Sequence, residues 1–333
     1  MPGSVSGIIR ATSSGPGISE VADFTGSASR SADPIPYSGT APFGACHLQC
    51  VANLLAWQNI TDAETVLCPT WGFSWSGRMV LKGSGRWVKI IRESYQIDLE
   101  EKFYRDFSTA HAAMEESIDQ GYPVAATVDA WHLPSPFTGV EHIAHCVLVV
   151  ASEADHVWII DPMNRPWPVR YAIPDWERIR SAACTDRFRT FLVTSRPRRM
   201  PGTRCLIHRL REDIRASQAA DRQCLQGFLA HCEDGGDGPP DVSLVAAERL
   251  YLSKLLRRSA QDMPGLTRVA DDVLSLARRW YFAHSIGRER AGDSGPSGRA
   301  VRLLRELADR ELATIERATE LLEVAPGRGG EGG

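Results

Sequence analysis

Three side chains that can do chemistry together lie far apart in this chain: Cys46, His145 and Asp161. Cys46 opens "CHLQCVANLLAWQ", in which Val51, Leu54, Leu55 and Gln58 recur at helical spacing. His145 opens the most apolar strand-like run, "HCVLVV", and Asp161 ends the next one, "VWIIDP". The short polar turn at Glu153–Asp155 makes those two runs a hairpin, with His145 and Asp161 near one end of a sheet. A carboxylate there orients the imidazole and stabilises its charged form. If the helix begun by Cys46 packs on that sheet, its N-terminus faces the histidine. A thiol in that position is acidified by the helix dipole and by the imidazolium. The unpaired N–H groups of the first turn can hold an oxyanion. Cys, His and Asp in the order helix, strand, strand follow the logic of a papain-like thiol acyl-transfer site.

Each residue also has a plainer reading. A lone cysteine in a helix is commonly a small buried hydrophobe. His145 could be a strand-end histidine, and His142 competes with it as the base. Asp161 before Pro162 could simply terminate a strand. Cys46, His47, Cys50 and Cys146 could supply metal ligands, but the i, i+4 spacing is not a CxxC knuckle and no second knuckle follows. No metal is therefore expected. Cys50 reads as core on the helix that Cys46 starts, and a Cys46–Cys50 disulfide is opposed by helix geometry.

The elements that must position these residues suggest an α+β region followed by an all-α one. Residues 1–35 are rich in Ser, Gly and Ala and read as a disordered arm; 327–333 read as a disordered tail. Within 36–198, "TWGFSW" lies in a stretch of loops and short strands. "VKIIRESY" and "TAHAAMEESIDQG" read as helices, the second closed by Gly121. "YPVAATVDAW", "HCVLVVASE", "HVWIIDP" and "RFRTFLVTS" read as strands of an antiparallel sheet. "RPRRMPGTR" at 196–204 reads as a linker. Region 199–326 is helical, with stripes at Ile207, Leu210 and Ile214, at Leu250, Leu255 and Leu256, at Val269, Val273, Leu276 and Trp280, and along a final helix from Val301 to Leu322. A length of 333 residues suits about two domains. The formal charge of -3 gives no electrostatic footprint for nucleic acid. No apolar run approaches the roughly 18 residues of a membrane span. With no signal-like N-terminus and eight scattered cysteines, a cytoplasmic protein with reduced thiols is expected.

"GACHLQCVANLLAW", "PVAATVDAWHLP" and "HCVLVVASEADHVWIIDP" together resemble the N-terminal domain of the butirosin biosynthesis protein H family, which is similar in turn to the C39 bacteriocin-processing peptidases. The resemblance covers about 36–196 and implies a papain-like, C39-like fold with a helical extension. It implies Cys46 as nucleophile, His145 as base and Asp161 as its orienter. Asp129 matches the aspartate after the "PV" strand, and "TWGFSW" falls where the family has an aromatic, glycine-rich loop. Three departures stand out. Ala45 precedes the cysteine and His47 follows it, where the family has a preceding histidine. Ala151 replaces a glycine. No Gln lies between Gly39 and Cys46, so backbone N–H groups would have to serve as oxyanion donors.

The implied activity is transfer of an acyl group from a carrier-protein thioester, through acyl-Cys46, to an amine, in natural-product biosynthesis. No cofactor is expected beyond the phosphopantetheine arm of an acyl or peptidyl carrier protein. Trp71, Phe73, Trp75 and Trp131 are candidate pocket walls that exclude water, with core packing as their plainer role. His47 is a candidate substrate contact. Asp129 either binds the acceptor's ammonium or holds the loop "DAWHLPSPF" through backbone bonds. "RPRRMPGTR" could dock an acidic carrier protein. A homodimer is left open. Two other enzymatic readings use the same triad: a C39-like peptidase or amidase, and an intramolecular cyclase or thioesterase. A non-catalytic binding module is the alternative of a different class.

Overall fold

The computed structural model describes residues 45–60, 63–134, 138–163, 165–185, 187–193, 202–235, 240–289 and 298–324. The expected arm, tail and most of the linker at 196–204 lie outside these residues.

The first helix, α1 (Cys46–Trp57), has every residue from Leu48 to Leu55 buried. A helix apolar on all sides belongs inside a protein, and α1 is the central strut of this one. A small two-stranded sheet follows, β1 (Phe73–Trp75) with β2 (Leu81–Gly83), paired antiparallel. Then come α2 (Trp87–Tyr95), β3 (Leu99–Lys102) and α3 (Phe107–Asp119). Asp106 caps α3 by accepting from the Thr109 N–H at 2.8 Å, and Gly121, at φ 86, closes it as its sequence position suggested.

The main sheet has six strands in the order β3-β8-β4-β5-β6-β7, and every pairing is antiparallel. Its members are β3, β4 (Val124–Asp129), β5 (Ala144–Ser152), β6 (His156–Asp161), β7 (Arg165–Ala172) and β8 (Thr190–Val193). The expected β5–β6 hairpin is present, with Glu153 and His156 closing its turn. All six residues of β4 are buried because both faces of the sheet are covered. Ala125, Cys146, Leu148, Ile160 and Phe191 belong to the core shared with α1. Val124, Ala126, Val128, Val147, Val149 and Ile159 pack on the other side with Met114 of α3 and with Trp176 and Ile179 of α4 (Ile173–Arg180). This is the period-2 alternation of strands between two layers.

Two strands were not anticipated, and both are edges. β3 reads "LEEK", too charged to show an apolar alternation; β7 begins "RPWP", and proline usually argues against a strand. An edge strand tolerates both, because one side of its backbone pairs with nothing.

Four helices complete the chain: α5 (Thr203–Glu233), α6 (Ser243–Ser259), α7 (Leu266–Glu289) and α8 (Gly298–Val324). The stripes expected from sequence are largely their buried faces. The described residues form one compact unit, and a single core cluster joins α1 and the sheet to Leu206, Leu210, Tyr251, Leu255, Val273 and Ile315. The boundary expected near 199 thus separates element types, while packing runs across it.

Polar contacts reinforce that junction. Arg249 of α6 pairs with Glu311 of α8, both side chains at 0% exposure. Trp71 and Trp280 donate their indole N–H groups to the same carboxylate at 2.6 and 2.8 Å, and Arg249 donates to Gly72 O at 2.9 Å. Glu248 accepts from the N–H groups of Ser84 and Gly85. Arg86 bridges Asp213 and Asp221 of α5. No described helix is long and apolar enough to cross a membrane.

Candidate active site

Cys46 is the first residue of α1 and keeps part of its surface exposed. Ala45, in the N-cap position with extended backbone, has no side-chain acceptor, so the first-turn N–H groups receive no cap from it. β5 carries His145 to the thiol, and β6 carries Asp161 to the imidazole. His145 Nε2 lies 3.1 Å from Asp161 Oδ1, and the two residues are 6% and 7% exposed. The oxygen is off the hydrogen-bonding direction of Nε2, so the contact is a close ion pair and not a linear hydrogen bond. Asp161 Oδ1 also accepts from the Met163 N–H at 3.0 Å, which fixes the carboxylate at the turn before β7. With Nε2 turned to Asp161, Nδ1 is the nitrogen available to Cys46.

The electrostatics follow from this order. Burial pushes the Cys46 thiol up, but the charge and hydrogen bond of His145 outweigh it, with His47 adding to them, and the thiol titrates well below its ordinary range. Burial would lower His145, but the facing thiolate and Asp161 hold it well above the usual imidazole range. Both shifts favour the thiolate–imidazolium form, the reactive form of a nucleophilic cysteine. His145, not His142, is the imidazole at the thiol.

The other cysteine of the run behaves differently. Cys50 is fully buried one turn further on and donates to Cys146 O at 3.3 Å. Burial pushes its thiol well up, so it stays protonated. All the described cysteines are free thiols, and no group of three or more His, Cys, Asp or Glu among the described residues is arranged to hold a metal ion.

His47 sits beside Cys46 with its ring against both Trp87 and Phe191, at centroid distances of 6.0 and 6.3 Å, and those two rings lie 6.1 Å from each other. Asp129 is 0% exposed; it accepts from the Trp131 N–H at 3.0 Å, and its Oδ2 is 2.6 Å from His142 Nδ1. It therefore holds the loop after β4, one of the two roles anticipated for it. Trp131 stacks on His142. Trp71 and Phe73 are buried and spend their contacts on Arg249, Glu311 and Asp221; Trp75 donates to Arg78 O and packs by Gly227. These three aromatics join the sheet region to the helices. Sequence reading missed Glu248, a buried α6 carboxylate whose field reaches His47, and Tyr251, whose hydroxyl donates to Gln49 Oε1 of α1 at 3.0 Å. No local motif marks either one, because tertiary packing alone brings Glu248 to the Ser84–Gly85 backbone and Tyr251 to α1.

A shallow hollow open to solvent adjoins Asp161, with Leu133, Pro134, Ile159, Val169 and Tyr171 around it.

Comparison with known proteins adds little. No protein-family profile matches the chain, and no curated protein matches it. One similar solved chain is described as a putative C39-like peptidase from Bacillus anthracis. It shares 15% identity, covers 49% of this chain and 96% of its own, and superposes with a TM-score of 0.35. A likeness that weak carries no argument about fold or activity. The site rests on its own geometry.

Proposed function

We propose that this protein is a cysteine acyltransferase of papain-like, C39-like architecture, moving an acyl group from a carrier-protein thioester to an amine. The observation that supports it is the Cys46–His145–Asp161 line: a thiolate at an uncapped helix start, an imidazolium, and a carboxylate behind it. Thiolate Cys46 attacks the thioester carbonyl, and the leaving thiolate takes the proton of His145. An amine then attacks acyl-Cys46, its proton passes to His145, and the thiolate–imidazolium pair is restored. Thioester-to-thioester exchange is nearly isoenergetic, so the first step needs no ATP. The oxyanion is placed at the first-turn N–H groups of α1. The partners of this reading are an acyl or peptidyl carrier protein bearing phosphopantetheine and a small amine, and the protein works in the cytoplasm.

The same line of residues suits a peptidase or amidase, which would resolve the acyl-enzyme with water. Mass spectrometry of the intact protein after incubation with acyl-pantetheine thioesters separates the readings. A mass gain on wild type, absent in Cys46→Ser and cleared by amines, is expected. Clearance by buffer alone at the same rate favours the hydrolase. No adduct with any thioester, together with sluggish alkylation of Cys46, defeats both and leaves a binding module.

A further inference from the structure

Among the imidazole–carboxylate pairs outside the triad, one has a fully buried carboxylate and an exposed ring. Asp129 ends β4 with its carboxylate buried, and its Oδ2 lies 2.6 Å from Nδ1 of His142. The His142 side chain is 59% exposed. Its ring lies flat on Trp131, 4.3 Å between centroids at 7°. Asp129 Oδ1 also accepts from the Trp131 N–H at 3.0 Å, which fixes the carboxylate at the end of β4. The imidazole is thereby locked with Nδ1 inward and Nε2 free to face solvent. His132 is the nearest other titratable ring, 6.2 Å from His142 between centroids, and itself faces Arg178 and Asp175 of α4.

The pair stands at the triad's end of the sheet. Asp129 is opposite Ala144 in the β4–β5 ladder, and Val128 is opposite His145. This end of the sheet thus carries two imidazole–carboxylate pairs: His145 of β5 with Asp161 of β6, buried against the thiol, and Asp129 of β4 with His142 of the segment before β5, whose imidazole is exposed.

We propose that His142, positioned by Asp129 and Trp131, is the base that takes the first proton from a protonated amine acceptor. This rests on the acyl-transfer reading above. An alkylamine reaches the enzyme as ammonium and must lose two protons to become an amide nitrogen. Acylation leaves His145 neutral, so His145 has room for one proton only. His142 accepts the first, freeing the nitrogen lone pair, and later releases it to solvent. The amine attacks, the C–N bond forms and the C–S bond breaks. His145 takes the second proton as Cys46 leaves as thiolate. A hydrolase has no such need, because water arrives neutral. The substrate class this assigns is a basic primary amine.

The test uses acyl-Cys46 formed on full-length wild type and His142→Gln with one acyl-pantetheine thioester. Its decay at pH 7 is followed by intact mass with two nucleophiles, a basic alkylamine and hydroxylamine, which is uncharged at that pH. The expected result is an alkylamine-to-hydroxylamine rate ratio about 10²-fold lower in His142→Gln, the low end of what a general base contributes. An unchanged ratio overturns the proposal, whether both rates fall together or neither does. Asp129→Asn should lower the ratio in the same direction, and no change there removes Asp129 as the positioning residue. If wild type forms no acyl-enzyme at all, the acyl-transfer reading itself fails and this inference falls with it.

Discussion

Cys46 and His145 shift each other in opposite directions, and that sets how the protein should respond to pH. With the thiol's pKa lowered and the imidazole's raised, the ion pair exists between the two folded values. The raised His145 contributes stability below its unfolded value of about 6.5, lost as pH climbs through its folded value. The lowered Cys46 contributes stability above its unfolded value of about 8.5, lost as pH falls through its folded value. Iodoacetamide should therefore alkylate Cys46 fast at and below neutral pH. In His145→Gln the midpoint should move up, because burial is then opposed only by His47. A midpoint that stays put would detach His145 from the thiol. Cys50 should stay unlabelled in the native state throughout, since its thiol is buried and pushed up.

At the level of elements, the tightest fit is between β2 and α6. A methyl group on Gly83 would sit 1.9 Å from Glu248 Oε2. That carboxylate is held by two backbone N–H groups and cannot move without leaving them unpaired. Gly83→Ala should cost about 1–3 kcal/mol, the range for overpacking a filled site. In a Glu248→Ala background the same substitution should cost much less, a coupling that denaturant melts of the four proteins would measure. Equal costs in both backgrounds would place the strain elsewhere. The edge strands teach a related lesson. β3 and β7 escaped sequence reading because an edge needs neither an apolar alternation nor a full set of N–H donors.

For the molecule as a whole, the buried ion pair of Arg249 and Glu311 sits where three helices meet the aromatic loop. Glu311→Ala would strand the guanidinium and two indole N–H groups at once. Removing one partner of a buried pair typically costs about 3–5 kcal/mol, and thermal melts should show at least that loss. The shared core also predicts one cooperative unfolding transition for the full chain by calorimetry. A fragment ending near residue 198 should fail to reach it, because α1 would lose the helices that cover it. Two separate transitions, or a well-folded fragment, would show that the helical region is an independent domain.

Local sequence already determined α1, the buried strands β4, β5 and β6, and the helical stripes of α5 to α8, because each carries its own periodicity. It also determined which residue types could form a thiol site, since Cys46, His145 and Asp161 mark the starts and ends of those elements. Only the tertiary structure decided which imidazole meets the thiol. His142 and His145 are three residues apart, and the choice depends on which way the strand end turns them. It also decided that Trp71 and Phe73 pack against helices, that Asp129 holds a loop and a second histidine, and that Glu248 reaches the Ser84–Gly85 backbone and Tyr251 reaches α1 from far along the chain. Those contacts join residues up to 240 positions apart, and no periodicity within one element can encode a partner in another.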